Sequence, residues 1–223
     1  MQIEKRMTRF KNIQLLEIPE NIESWYKTIK YSEEKITVFK LHHMISIDEE
    51  EREVFFIDLR KQLKKEEKIE SNILSTQLSV ETDLGKLKEL IEQRKHRELV
   101  PQIINRMLSI NEDIYLEYIH RLDNQYTEDI FDNAIAVLIE TSKKKDISNE
   151  ILDLLKKDKI RDPQDFAVLS QIMGLGDTNN IIMYLYSFYR YFINNFPDEN
   201  YFEGPLFGIS YYLEIRRRTT AST

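Results

Sequence analysis

No cysteine occurs among the 223 residues, so there is no disulfide framework, no thiol nucleophile and no zinc–thiolate site, and the redox compartment stays open. Glycine and proline are scarce, five of each, which leaves few positions where a helix must break or the chain must turn sharply. Long apolar runs are also missing. The longest, Ile181 to Ile193, is interrupted by Ser187 and Arg190 and falls short of the roughly 20 residues that span a bilayer; it reads as a buried helix, and no membrane partner is expected. The stretch Met1 to Phe10 is basic and polar and leads into no apolar segment of secretory length, so a cytoplasmic location is expected. The Lys-, Ile-, Asn- and Tyr-rich composition points to a bacterial protein. Positive charge is outnumbered, 32 Lys and Arg against 39 Asp and Glu for a net charge of −7. That balance opposes a generic binder of phosphate backbones, whose footprint is basic.

What is present is helical periodicity. With 41% hydrophobic residues the chain can bury a core, as one elongated domain or two abutting ones. Apolar residues recur at three- and four-residue steps, as in Leu84, Leu87, Leu90 and Ile91, or Ile130, Ala134, Val137, Leu138 and Ile139. Each such helix has one face that a neighbour must cover. From Thr82 to Ile215 the pattern gives four consecutive helix pairs with no strand signal. Helix starts are expected near 83, 98, 112, 128, 148, 163, 178 and 205, so alternate starts lie roughly 30 to 35 residues apart, a two-helix repeat length. Asp162-Pro163-Gln164-Asp165 writes a boundary: Asp162 caps free N–H groups, Pro163 suits the first helical position, and Asp165 complements the dipole. At Gly174-Leu175-Gly176-Asp177 a left-handed glycine is expected to stop one helix and Asp177 to cap the next.

The N-terminal part is less regular. Ile13 to Ile18 reads as extended before Pro19, followed by a short helix carrying Ile22, Trp25, Tyr26 and Ile29. Another helix is expected after Ser32. The capping-box spacing of Ser46 and Glu49 opens a charged helix with a narrow stripe of Phe56, Leu59 and Leu63. The division expected is an irregular helical region at 1–80, a helical-repeat domain at 81–218 and a disordered tail at 219–223.

The stretch Ile147 to Phe196, with Glu150-Ile151-Leu152-Asp153-Leu154-Leu155, Asp162-Pro163-Gln164-Asp165-Phe166 and Met173-Gly174-Leu175-Gly176-Asp177, resembles the helix-corner-helix units of HEAT-like α-helical repeat proteins. The likeness extends over about residues 82–215, without the fixed signature residues of tetratricopeptide or ankyrin repeats. The resemblance implies a curved stack of antiparallel helix pairs whose inner face binds a macromolecule, and it implies no reaction.

Chemistry-bearing constellations were weighed against plainer accounts. Glu117-Tyr118-Ile119-His120 places Glu and His on one helical face, the ligand spacing of di-iron carboxylate bundles. The second motif is missing, because His42, His43 and His96 follow Phe39, Lys40 and Gln93 at that spacing. No metal or cofactor is expected. Gly174-x-Gly176 lacks the third glycine and the preceding strand of a dinucleotide fingerprint. Phosphate-loop, nucleophile-elbow and His-Glu-x-x-His signatures are absent, and a site built from scattered carboxylates and tyrosines would leave no motif. Along Ile181 to Phe196, the residues Ile182, Leu185, Tyr189, Phe192 and Phe196 form a core stripe. Tyr184, Phe188 and Tyr191 form a second aromatic face, which neighbouring helices or a partner could cover. The loop Asn195 to Gly204 adds Tyr201 and Phe202, and Pro205 is expected to begin the last helix, which ends at Arg216-Arg217-Arg218, where positive charge suits the dipole.

The expectation is therefore an all-α protein, a right-handed stack of antiparallel helix pairs forming a HEAT-like superhelix behind a less regular helical N-terminal part. Its function reads as a non-catalytic protein-interaction module, with Tyr184, Phe188, Tyr191, Tyr201 and Phe202 as candidate partner contacts. Two rivals stand beside it. A nucleic-acid-binding HEAT-like protein would use Lys143, Lys144, Lys145, Lys156, Lys157, Lys159 and Arg161. A helical-bundle metalloenzyme would need Glu117 and His120 to face a buried pocket.

Overall fold

The computed structural model describes residues 7–32, 65–93 and 97–221. The expected helix after Ser32, the Ser46–Glu49 capping box with its Phe56, Leu59 and Leu63 stripe, and His42, His43 and His96 lie outside them. The described residues form ten α-helices and no strand. In chain order these are α1 (Ile22–Ser32), α2 (Lys65–Leu78), α3 (Leu84–Glu92), α4 (Val100–Ile110), α5 (Ile114–Gln125), α6 (Glu128–Ser142), α7 (Ser148–Lys156), α8 (Pro163–Met173), α9 (Ile181–Asn195) and α10 (Glu203–Ala221). None of them is long and apolar enough to cross a membrane.

Helix starts follow local chemistry. The Asp83 carboxylate accepts from the N–H groups of Gly85 and Lys86 at 2.8 and 3.3 Å to open α3, and Asp162 does the same for Gln164 and Asp165 at 2.8 and 3.2 Å to open α8, with Pro163 at its first position. Both caps satisfy donors that would otherwise lack partners. Three other expectations are corrected. Gly174 is right-handed, with φ −71° and ψ −9°, so it ends α8 without a left-handed turn. Asn180, not Asp177, precedes α9. The last helix begins at Glu203, ahead of Pro205, and continues through Ala221, so the 219–223 segment is helical for most of its length.

The chain divides into two compact units. One draws on Met1–Val38, Leu122–Tyr126 and Ser142–Thr223, the other on Phe39–Arg121 and Thr127–Thr141. The sequence division at residue 80 differs from this because residues near the N-terminus pack with the C-terminal helices.

In the second unit α3 and α2 each pack on α4, around Leu78, Leu87, Ile91, Ile103, Ile104 and Met107, all 2% exposed or less. Polar links run alongside: Gln102 Nε2 donates to Ser75 O at 2.9 Å, and Arg106 Nε donates to Glu81 O at 2.6 Å. Tyr118 on α5 is 1% exposed and its hydroxyl has no hydrogen-bond partner among the described residues. Burial pushes its phenol up to about 12, outweighing the nearby Arg121 guanidinium. A buried hydroxyl left unbonded is a penalty its removal relieves. Tyr118→Phe is accordingly expected to stabilise the protein by about 1 kcal/mol, read as an upward shift of the thermal midpoint.

In the first unit α10 packs against both α8 and α9, and α8 packs against α7. Phe166, Leu169, Met173, Leu185, Phe188, Phe192 and Ile209 are fully buried among them. The α8 and α10 backbones meet at small residues. A Cβ on Gly174 would lie 2.2 Å from Gly208 O, one on Gly204 2.2 Å from Ala167 O, and one on Gly208 2.8 Å from Ser170 O. Glycine is required at this crossing by proximity, as backbone can approach backbone only where a side chain is missing. Such an approach places Cα–H groups against carbonyls.

Candidate interaction surface

α9 is apolar nearly all round, and its two faces have different neighbours. Ile182, Leu185, Tyr189, Phe192 and Phe196 are buried, as the stripe predicts. The chain's own residues near the N-terminus meet α9 on two sides, Phe10 on the second face and Trp25 beside the first. Phe10 lies 6.1 Å from Tyr184 and 5.8 Å from Phe188, the latter edge-to-face. Trp25, from α1, sets its ring edge-on to Tyr186 and Tyr189 at 5.1 and 5.2 Å. Edge-to-face geometry matches the positive rim of one ring to the negative face of the next. Ion pairing adds to this, with Arg217 to Glu23 at 2.7 Å.

The five candidate contacts therefore separate. Phe188 is fully buried, 5.0 Å from Phe166, and contributes no surface. Tyr184 is half-buried beneath Phe10, with Lys156 Nζ 5.6 Å from its ring centre. Phe202 is half-buried, edge-on to Tyr189 at 6.2 Å. Tyr191 and Tyr201, also half-buried, converge on the buried ring of Phe196 at 6.1 and 5.5 Å, where α9 ends and the 3₁₀ turn Asn200–Phe202 begins. Burial raises the Tyr191 phenol above its ordinary range. Exposed Pro197, Asp198 and Glu199 border this cluster. Tyr191 and Tyr201 thus share Phe196 as a neighbour, whereas Phe188 is closed in by Phe10 and Phe166.

A carboxylate that the sequence reading passed over fixes the α7 and α9 ends of this unit. Asp146 accepts from Ser148 N at 2.9 Å, Asp177 N at 3.0 Å, Thr178 N at 3.1 Å and Thr178 Oγ1 at 2.9 Å, and from Ser148 Oγ. Desolvation raises its pKa, but these donors outweigh that and hold it at about 2. Three lysines directly before it, Lys143 to Lys145, disguise it as one more charge in a solvated run.

No family model, no curated protein and no solved structure matches this chain.

The residues of the rival readings are engaged elsewhere. Glu117 and His120 are exposed on α5, and Glu117 pairs with Lys88 at 2.6 Å, so neither faces the pocket a metalloenzyme would need. The described residues hold no group of three or more His, Asp or Glu side chains able to grip a metal ion. In the basic cluster, Lys157 pairs with Asp123 at 2.7 Å and Lys156 with Asp153 at 3.1 Å. Arg217 and Arg218 pair with Glu23 and Glu214, and Arg216 stacks 4.7 Å over Tyr212.

Proposed function

We propose that the chain is a non-catalytic protein-interaction module that offers a helical-repeat surface to a macromolecular partner. The observation that carries this reading is the convergence of Tyr191 and Tyr201 over Phe196, with ring area left open and a rim of carboxylates beside it. Tyrosines of this kind supply large, rigid contact area with a polar tip, the composition of binding hot spots. Support for the repeat arrangement comes from adjacent pairing of α7 with α8 and of α9 with α10, joined by α8 packing on α10. In a stack of helix pairs such second-neighbour packing carries the core from one pair to the next.

The test is capture from the native host with the wild-type chain and with Tyr191→Ala/Tyr201→Ala. A protein retained by the first and lost from the second, at unchanged helicity and midpoint, is the expected result. The same retained set for both chains, or recovery of nucleic acid alone in a salt-sensitive manner, would overturn the assignment.

A further inference from the structure

Residues 8–16 lie on the first unit in the manner of a bound peptide. Three of their backbone donors are met from outside the segment: Thr8 N donates to Arg161 O at 3.1 Å, Phe10 N to Asp158 Oδ1 at 2.6 Å, and Leu16 N to Ser187 Oγ at 2.8 Å; between them Asn12 N and Ile13 N close the 3₁₀ turn Phe10–Asn12 onto Arg9 O and Phe10 O at 3.0 and 2.9 Å. Asp158 is positioned for this by a left-handed backbone, φ 57°, where α7 gives way to the loop before α8. Side chains of the segment enter at three points. Thr8 is fully buried, Ile13 is 8% exposed, and the Phe10 ring rests against Tyr184 and Phe188. The remainder faces solvent: Lys11, Asn12, Gln14, Leu15, Glu17 and Ile18 are exposed. Main-chain hydrogen bonds at the two ends of a short segment, with pockets for a few side chains between them, are among the means by which proteins recognise peptides.

From this geometry we infer that the groove between the α7–α8 loop and α9 is a peptide-docking site that the chain's own N-terminal segment fills. Its partner ligand is a segment of another protein that makes the same single turn, with a small β-branched apolar residue, an aromatic residue two positions on and an aliphatic residue three further. This deepens the interaction-module reading and rests on it. The chain's own segment is an imperfect ligand. Thr8 buries a hydroxyl that has no hydrogen-bond partner among the described residues, and a valine of the same shape would leave no unmet donor or acceptor. Between 11 and 18 the anchors are the buried Ile13 and the Leu16 N–H, with six of the eight residues exposed, little burial to oppose opening. Tethering nevertheless gives the segment an effective concentration on the order of millimolar, so a free peptide must compete with it.

The test uses a labelled synthetic peptide of residues 7–18, titrated into the full-length wild-type chain and into full-length Phe10→Ala and Leu16→Pro. The first variant removes the ring anchor, and the second removes the N–H given to Ser187 and restrains the backbone at 15 and 16. Both variants are expected to bind the peptide about tenfold more tightly than the wild type does. A peptide with valine in place of Thr8 is expected to gain several-fold, and one with alanine in place of Phe10 to lose binding. No binding to either variant at roughly 1 mM peptide, with both variants folded, would overturn the inference. So would unfolding of both, since the segment would then be core. Peptide binding reads this groove alone, and the Tyr191/Tyr201 capture reads the proposed function, so either can fail while the other stands.

Discussion

Gly174→Ala is expected to lower the stability of the protein by about 3 kcal/mol and its thermal midpoint by roughly 10 °C. The added methyl carbon would fall 2.2, 2.3 and 2.5 Å from the O, Cα and C of Gly208. All three atoms are backbone, so no side chain can swing aside, and relief requires α8 and α10 to separate. Separation would loosen Leu169, Met173, Leu206 and Ile209, each 1% exposed or less. Gly204→Ala meets the same obstacle in Ala167 O at 2.2 Å. Gly85→Ala provides the contrast, because its Cβ meets only Asp83 Oδ1, at 3.1 Å, and alanine favours the helix by up to about 1 kcal/mol. Denaturation of the three variants followed by circular dichroism checks the order. A midpoint for Gly174→Ala within a degree or two of wild type would show that the two helices are less closely apposed.

Asp146→Ala is expected to destabilise by about 2 kcal/mol, because it leaves the donors of Ser148, Asp177 and Thr178 without their shared acceptor. Asp146→Asn keeps the shape but not the charge and should lose about half as much. The acid limb gives a separate check. The folded carboxylate titrates at about 2 rather than at its ordinary 3.8, so its contribution is complete above about pH 4 and is lost as pH falls toward 2. With partial solvent screening that contribution is about 1 kcal/mol. Wild type should therefore lose stability between pH 4 and 2 faster than Asp146→Asn does; parallel curves would remove the carboxylate from this role. Gly176 is tied to the same cluster. A Cβ there would lie 1.9 Å from Ser148 Oγ and 2.0 Å from Asp146 Oδ1, so Gly176→Ala should reproduce the Asp146 phenotype, acid limb included.

These positions mark what the chain discloses on its own. Asp162-Pro163 and the start of α7 at Ser148 are readable because caps and apolar spacing act within one helical turn. The all-α class follows from the same signals repeated along the chain. The purpose of Gly174 was misread, since its constraint comes from Gly208, in another helix, and no local pattern records that proximity. Spacing along α9 places Phe188 off the core stripe, but it cannot say that Phe10 and Phe166 close over it. That Tyr191 and Tyr201 both reach Phe196 is not readable from spacing, because it depends on the turn between α9 and α10. Clusters of donors around a carboxylate, as the five at Asp146, are equally silent, being assembled from two loops about thirty residues apart.

The placement of Phe10 and Trp25 on α9 also sets an order of events during synthesis. Both rings leave the ribosome long before Tyr184, Tyr186 and Tyr189 exist to receive them, on the order of ten seconds at ordinary elongation rates. Throughout that interval the nascent chain carries uncovered aromatic side chains near its start, while α2 to α4 already have their mutual partners. The first unit is thus the one exposed to chaperones and to off-pathway association, and slowing translation between residues 30 and 180 should lower the yield of native protein.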